Sequence, residues 1–156
     1  MKILTIKNGL EVKVDNDTYE IVKDFAWRTN RLGYVIRTQN RYPDNPITVF
    51  LHHSVIPQER GRVIDHVNHD LLNNLRTNLR SVTHRQNCCN QRKPNGKWSS
   101  RFKGVSRHRS NGKWTAGIKV QYKRVYLGIF EIEIEAAGAY NQAAETYFGE
   151  FAKLNL

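Results

Sequence analysis

Val63-Ile64-Asp65-His66-Val67-Asn68-His69-Asp70-Leu71-Leu72-Asn73-Asn74-Leu75-Arg76-Thr77-Asn78-Leu79-Arg80, followed closely by His84-Arg85-Gln86-Asn87, is the most informative stretch of this 156-residue chain. Its apolar opening reads as a strand that ends with a carboxylate beside an imidazole. An asparagine-rich turn follows. Residues 78–87 then read as a helical run that brings one more polar ligand back beside the strand end. A carboxylate with an amide oxygen is a hard oxygen pair, suited to Mg²⁺, Mn²⁺ or Ca²⁺ rather than zinc. An imidazole next to such an ion is placed to take a proton from water at neutral pH. Structural roles compete with these: an Asp-His pair also serves as a buried hydrogen-bonded pair, and Asn73 also suits a helix cap.

Upstream, residues 1–50 look like scaffold. Alternation in Ile3-Leu4-Thr5-Ile6 and in Leu10-Glu11-Val12-Lys13-Val14 reads as a hairpin turning at Lys7-Asn8-Gly9. Asp17 to Phe25 reads as a short helix, with Asp15 to Asp17 offering caps. Gly33 to Arg37 and Ile47 to Leu51 read as strands separated by a loop containing Pro43 and Pro46. His52, just before the informative stretch, suits packing or a phosphate contact better than metal binding. His53, His69, His84 and His108 read as solvated or DNA-facing, and the adjacent Cys88 and Cys89 as small buried or half-buried fillers.

Downstream, a polar linker at 91–100 leads to three strands and a helix. Arg101 to Arg109 reads as the first strand, Lys113 to Gln121 as the second and Arg124 to Phe130 as the third. The turns are Ser110-Asn111-Gly112 and Tyr122-Lys123, and a helix runs from Glu133 to about Phe148 with acids in its first turn. Parity puts Trp114, Ala116, Ile118 and Val120 on one face, with Val125, Leu127 and Ile129. The helix offers Ala136, Ala139, Tyr140, Ala143, Ala144 and Tyr147 to that face. The other face is basic: Lys119, Arg124 and Tyr126, joined from the first strand by Lys103, Arg107 and Arg109. Core packing suits Trp114 better than base contact. The repeated Asn-Gly-Lys-Trp at 95–98 and 111–114 reflects shared turn chemistry rather than duplication.

Charge narrows the partner. The chain carries 25 Lys and Arg against 14 Asp and Glu, for +11. Residues 1–50 hold eight basic and six acidic side chains, whereas residues 71–130 hold fourteen basic and no acidic ones. A positive field of that extent favours nucleic acid, and the lack of an amphipathic basic helix argues against a membrane surface. No apolar run reaches the length of a membrane span, the first ten residues lack a signal-peptide core, and the two adjacent cysteines point to a reducing compartment without a zinc ribbon.

Residues 51–90 resemble the HNH nuclease family, specifically its phage homing-endonuclease branch, through Asp65-His66-x-Asn68, Asn73-Asn74, Asn78-Leu79-Arg80 and Gln86-Asn87. The resemblance implies a ββα-metal motif with Asp65 and Asn87 as metal ligands and His66 as general base. Asn73 would hold the loop that orients His66, making this an H-N-N variant. It further implies one divalent ion, Mg²⁺ or Mn²⁺, and products with 5′-phosphate and 3′-hydroxyl ends. Arg76, Arg80 or Arg85 would clamp the phosphate. Asn68-His69 stands where relatives commonly have Asn-Gly, so His69 must tolerate an unusual backbone there. Leu75 takes a place that is often basic.

Residues 101–156 resemble the ethylene-response-factor type of DNA-binding domain. The carrying residues are Phe102-Lys103-Gly104-Val105, Gly112-Lys113-Trp114, Val125 to Phe130, Ala136 to Tyr140 and Leu154-Asn155. That resemblance implies a sheet docked in the major groove through Lys103, Lys119, Arg124 and Tyr126, with Arg107 and Arg109 nearby. Gly117 and Ser106 replace the Glu and Arg frequent in plant members, so the plant sequence preference does not transfer.

The expectation is an α+β chain: a nuclease domain at 1–90 with a β-rich scaffold at 1–50, a linker at 91–100 and a DNA-binding domain at 101–156. The expected activity is that of a metal-dependent DNA endonuclease, a monomer acting on double-stranded DNA without a protein or membrane partner. By resemblance alone it would be phage-encoded and cytoplasmic in a bacterial host. The competing expectation is a catalytically inactive DNA-binding regulator. An RNA-directed role is weaker, because side chains do not enter the A-form major groove.

Overall fold

A computed structural model describes residues 1–40 and 45–155. The fold is mixed α+β, with several small antiparallel sheets and a C-terminal helix. The chain divides into two compact units, Met1–His84 and Arg85–Leu156. Residues 85–90, expected in the nuclease domain, and the expected linker at 91–100 therefore fall within the second. Among the described residues no helix is long and apolar enough to cross a membrane.

In the first unit, β1 (Lys2–Thr5) and β2 (Glu11–Val14) pair antiparallel, as their alternation requires. The turn closes through Gly9, whose φ of 75° is a conformation glycine adopts without strain. Helix α1 (Asn16–Val22) follows, shorter than the sequence pattern suggests and without a side-chain cap. Asp15 sends its carboxylate elsewhere, to the backbone N–H of Arg76 at 2.7 Å. Strands β3 (Arg28–Thr29), β4 (Val35–Asn40) and β5 (Pro46–Phe50) form a second sheet, of which β3 is not evident in the sequence. Pro46 opens β5 rather than lying in the loop, as a proline can at the first residue of a strand. Pro43 lies outside the described residues. Leu4, Val12, Val14, Val22, Trp27, Val35 and Leu51 close one core, and the indole N–H of Trp27 donates to the Val22 carbonyl at 2.9 Å.

Next come the short helix α2 (His52–Val55) and strands β6 (Arg62–His66) and β7 (Leu79–Thr83), which pair antiparallel. Residues 79–83 are thus a strand, not the start of a helix. Cross-strand pairing of Val82 with Val63 and burial of Ile64 and Leu79 against Val55 outweigh the local pattern. The helix is α3 (His84–Asn90).

The second unit holds β8 (Val105–Arg107), β9 (Trp114–Val120) and β10 (Lys123–Phe130) in the order β10-β9-β8, with α4 (Glu133–Phe148) packed on one face. The first strand is far shorter than expected. Gly104, at φ 75°, bends the chain before it, and a Cβ there would sit 2.1 Å from the Tyr140 ring. The second turn is Gln121-Tyr122, both at positive φ. A register shift between Tyr126 and Gly128 inverts the parity of β10, so Ile129, expected on the core face, is exposed and Phe130 packs against the core instead. On α4, Ala136, Ala137, Tyr140, Ala143 and Ala144 are buried while Tyr147 is exposed.

Candidate functional site

Strand β6 delivers Asp65 and His66 to its C-terminal end, 7% and 4% exposed. Asp65 stands directly across from Arg80 in the register, which puts both side chains on one face of the two-stranded sheet. Arg80 takes up Oδ2 of Asp65 through Nε at 3.0 Å and Nη2 at 2.9 Å. The carboxylate proposed as a ligand is therefore already engaged by a guanidinium.

The loop from Val67 to Asn78 is knitted by short polar side chains rather than by regular structure. His66 O accepts from the His69 N–H, and His69 adopts φ 64°, the left-handed conformation its place in an Asn-Gly-like turn demands. Asn68 Oδ1 accepts from Asp70 N–H, Asp70 Oδ1 from Leu72 N–H, and Asn78 bridges the Asn68 N–H to the Asn73 carbonyl. Strand β2 anchors the far side: Lys13 N–H donates to Leu72 O, and Asn74 N–H to Lys13 O. Asn73 holds the loop internally, its Oδ1 accepting from Leu75 N–H at 3.3 Å.

The asparagine that reaches the imidazole is its neighbour. Asn74, 1% exposed, donates from Nδ2 to Leu71 O at 3.0 Å, which turns its Oδ1 toward His66 Nε2 at 3.4 Å. With an acceptor there, Nε2 carries the proton and Nδ1 carries the lone pair. Burial pushes the His66 pKa down, outweighing the opposing pull of Asn74, Asp65 and Asp70, so the ring is neutral at pH 7. Sequence reading singled out Asn73 and missed Asn74. Only the loop geometry separates the two.

His52 opens α2 at 6% exposure, its ring 5.4 Å from that of His66, 5.7 Å from Tyr34 and 4.6 Å from His53. Burial, aided by His53 and His66, holds its pKa down at about 3. Its ring forms an aromatic wall beside that of His66. Arg76 braces the scaffold: its Nη1 donates to Val55 O at 3.2 Å and its Nη2 pairs with Asp17 at 3.0 Å. Asn87 and Arg85 lie on α3 in the second unit, Arg85 exposed. Cys88 is exposed, not a buried filler. Among the described residues, no three His, Cys, Asp or Glu side chains gather as a metal-holding group.

On the sheet of the second unit, Lys119 pairs across from Arg124 and Gly117 from Tyr126, on the face turned away from α4. The Arg124 guanidinium lies over Gly117, where a Cβ would meet its Nε at 3.1 Å. Two expected members of that basic face are elsewhere. Lys103 precedes β8 and donates from Nζ to the carbonyls of Cys89 and Gln91 at 2.8 and 2.7 Å. Arg107 shares the parity of the buried Val105 and lies over the Trp114 ring, bonded to Gly112 O. Trp114 packs against the core, as its parity predicts. Arg109 is exposed beyond the end of β8.

Comparison with known proteins adds an independent line. The chain is 30% identical over 147 residues to an uncharacterized HNH endonuclease, L560, of Acanthamoeba polyphaga mimivirus, covering 91% of this chain and 73% of that protein. It is 43% identical over 58 residues to the ethylene-responsive transcription factor WRI1 of Arabidopsis thaliana, 36% of this chain and 14% of that protein. It is also 44% identical over 59 residues to the APETALA2-like protein 2 of Oryza sativa subsp. indica, 36% of this chain but 13% of that protein. The similarity to these plant proteins thus spans a small part of their length. No family model matches the chain.

Proposed function

This chain belongs to the HNH endonuclease family, and from that premise we propose that it hydrolyses phosphodiester bonds of double-stranded DNA, leaving 5′-phosphate and 3′-hydroxyl ends. The C-terminal sheet would select where it acts. The observation that carries the reading is the state of His66: buried at a strand end, oriented by Asn74 and neutral at pH 7. A neutral imidazole can take up a proton, as activating a water for in-line attack requires; such a base contributes about 10²–10⁴-fold.

In donor chemistry the Asp65 carboxylate suits a hard divalent cation, Mg²⁺ or Mn²⁺, and would be its ligand from the first unit. Bound there, the cation supplies neutralisation of charge at the scissile phosphate. Arg80 orients the Asp65 carboxylate, and Asn73 keeps the loop beneath His66 in shape. Arg76, Arg80 or Arg85 would clamp the phosphate, the first two while also holding protein partners. Lys119, Arg124 and Tyr126 would contact the duplex from the sheet, with Arg109 adding a contact from the turn at the other end of β9. Phosphate contacts supply affinity and base-edge contacts preference.

The test is incubation with supercoiled plasmid, with and without Mg²⁺, comparing wild type with His66→Ala. Metal-stimulated cutting by wild type, lost in the variant while DNA binding persists, is the expected result. Equal cutting by both would remove His66 as the base. One observation favours a second reading, a DNA-binding regulator whose first unit only packs. The Arg80–Asp65 pair is how a purely structural carboxylate is held. That reading predicts the same DNA binding with no cleavage in any metal.

A further inference from the structure

A second cluster of cations lies in the C-terminal unit, apart from Lys119 and Arg124. Where the chain enters β8 and where it leaves α4, Arg92, Lys93, Arg101, Lys103 and Lys153 line a cavity of about 450 Å³ whose lining among the described residues holds no carboxylate, although Glu133 acts on Lys93 from nearby. Its walls are built rather than incidental. Lys93 Nζ donates to the carbonyls of Ser100, Phe102 and Val105 at 3.0, 2.8 and 3.2 Å. Asn155 clasps the Lys103 backbone from both sides, accepting its N–H at 2.7 Å and donating to its carbonyl at 3.0 Å. The Arg101 guanidinium stacks over the Phe102 ring, 4.9 Å from its centroid, which leaves in-plane N–H groups for an acceptor.

Five cations around one cavity repel each other unless an anion joins them. Position says which anion. The order β10-β9-β8 makes β8 an edge strand, and residues 101–103 lead into that edge through the bend at Gly104. Three strands spaced roughly 4.8 Å apart span about 10 Å between the outer two, close to the ~12 Å width of a major groove. A duplex lying on the outward face therefore carries its phosphate rails past the sheet edges.

We propose that this cavity binds a backbone phosphate of the same duplex, anchoring the sheet from its β8 edge without reading sequence. The inference rests on the DNA-binding reading above and does not depend on cleavage. The experiment measures binding of the full chain to a mixed-sequence duplex by fluorescence anisotropy, in EDTA, over a series of salt concentrations. The variants are Arg92→Gln/Arg101→Gln/Lys153→Gln, which spares the structural Lys93 and Lys103, and Lys119→Ala/Arg124→Ala. The triple variant should bind more weakly, with its slope of log K against log salt shallower by about 0.9 for one lost phosphate contact. The single variant Lys153→Glu, checked by thermal melting, should weaken binding in the same direction and carries the test should the triple variant misfold. An unchanged slope in a folded variant overturns the proposal. So does strong capture of inorganic phosphate with DNA binding unaffected, which would make the cavity a site for a free anion. Failure of wild type itself to bind DNA removes the broader reading as well, whereas loss of binding in the sheet variant alone removes only the cavity.

Discussion

Arg80 and Asp65 face each other across β7 and β6 and are joined through two nitrogens on one carboxylate oxygen, at 3.0 and 2.9 Å, with side chains 16% and 8% exposed. Removing one member of such a buried pair strands the other. Arg80→Ala should cost about 3–5 kcal/mol of stability, read by urea denaturation. The double variant Asp65→Leu/Arg80→Met should recover much of that loss. A double variant as unstable as the single would show that the pair is not what the site depends on.

Acid should loosen the first unit. Burial holds the His52 pKa at about 3 and keeps those of His53 and His66 below the ordinary 6.5. The unfolded chain therefore binds protons that the folded one refuses. The stabilisation is complete above about pH 6.5 and is lost as pH falls toward 3, by up to about 1.4 kcal/mol per pH unit for each fully buried histidine. His52→Phe should flatten the profile. The check is hydrogen exchange of the β1–β2 amides between pH 7 and 4, and parallel profiles for the two proteins would contradict it.

Asn74, rather than Asn73, should tune the base. Asn74→Ala removes the acceptor facing His66 Nε2 and should lower kcat by about 10²-fold, the effect of a small misplacement of a reacting group, with KM little changed. Asn74→Asp keeps an acceptor facing Nε2 and should restore part of the rate while raising the apparent pKa of the base. An Asn74→Ala enzyme with the wild-type rate and pH profile would assign the orienting role elsewhere.

Gly104→Ala should unfold or severely weaken the second unit. The new Cβ would lie 2.1 Å from the Tyr140 ring and 2.6 Å from Gly117 O, in a residue at φ 75°. Overpacking of this kind typically costs about 1–3 kcal/mol, and the backbone strain adds about 1 kcal/mol. A thermal melt within a degree or two of wild type would refute the close approach.

Lys119→Ala with Arg124→Ala should weaken DNA binding several-fold. The salt slope should drop by up to about 1.8, two contacts' worth. Unaltered affinity would show that the outward sheet face is not a DNA contact.

Much of this could be seen in the sequence because alternation and helical spacing there agreed with burial. The β1–β2 hairpin, β9 and the span of α4 are cases where local pattern and tertiary packing point the same way. The failures at the site share one cause, contacts made by residues far apart in the chain. Leu79 to Thr83 carries no strong strand signal by itself and becomes a strand through its partners in β6. Without that pairing, Arg80 looks like a free cation, and its hold on Asp65 is invisible. Asn73 and Asn74 are adjacent and chemically identical. Which one meets His66 depends on Lys13, about sixty residues earlier, pinning the loop. Lys103 likewise reads as one more positive charge until the carbonyls of Cys89 and Gln91 are found around it.

The extra residue in β10 also governs how the sheet assembles. Before Tyr126 the strand pairs in one phase with β9, and from Gly128 onward in another. Any sliding of β10 that suited one half would misalign the other, and a glycine at φ 130° is needed at the joint. The strand is thus keyed like a notched ruler. Only one alignment sets Arg124 opposite Lys119 and also packs Phe130 against the core, which ties the spacing of the outward-facing charges to closure of the core behind them.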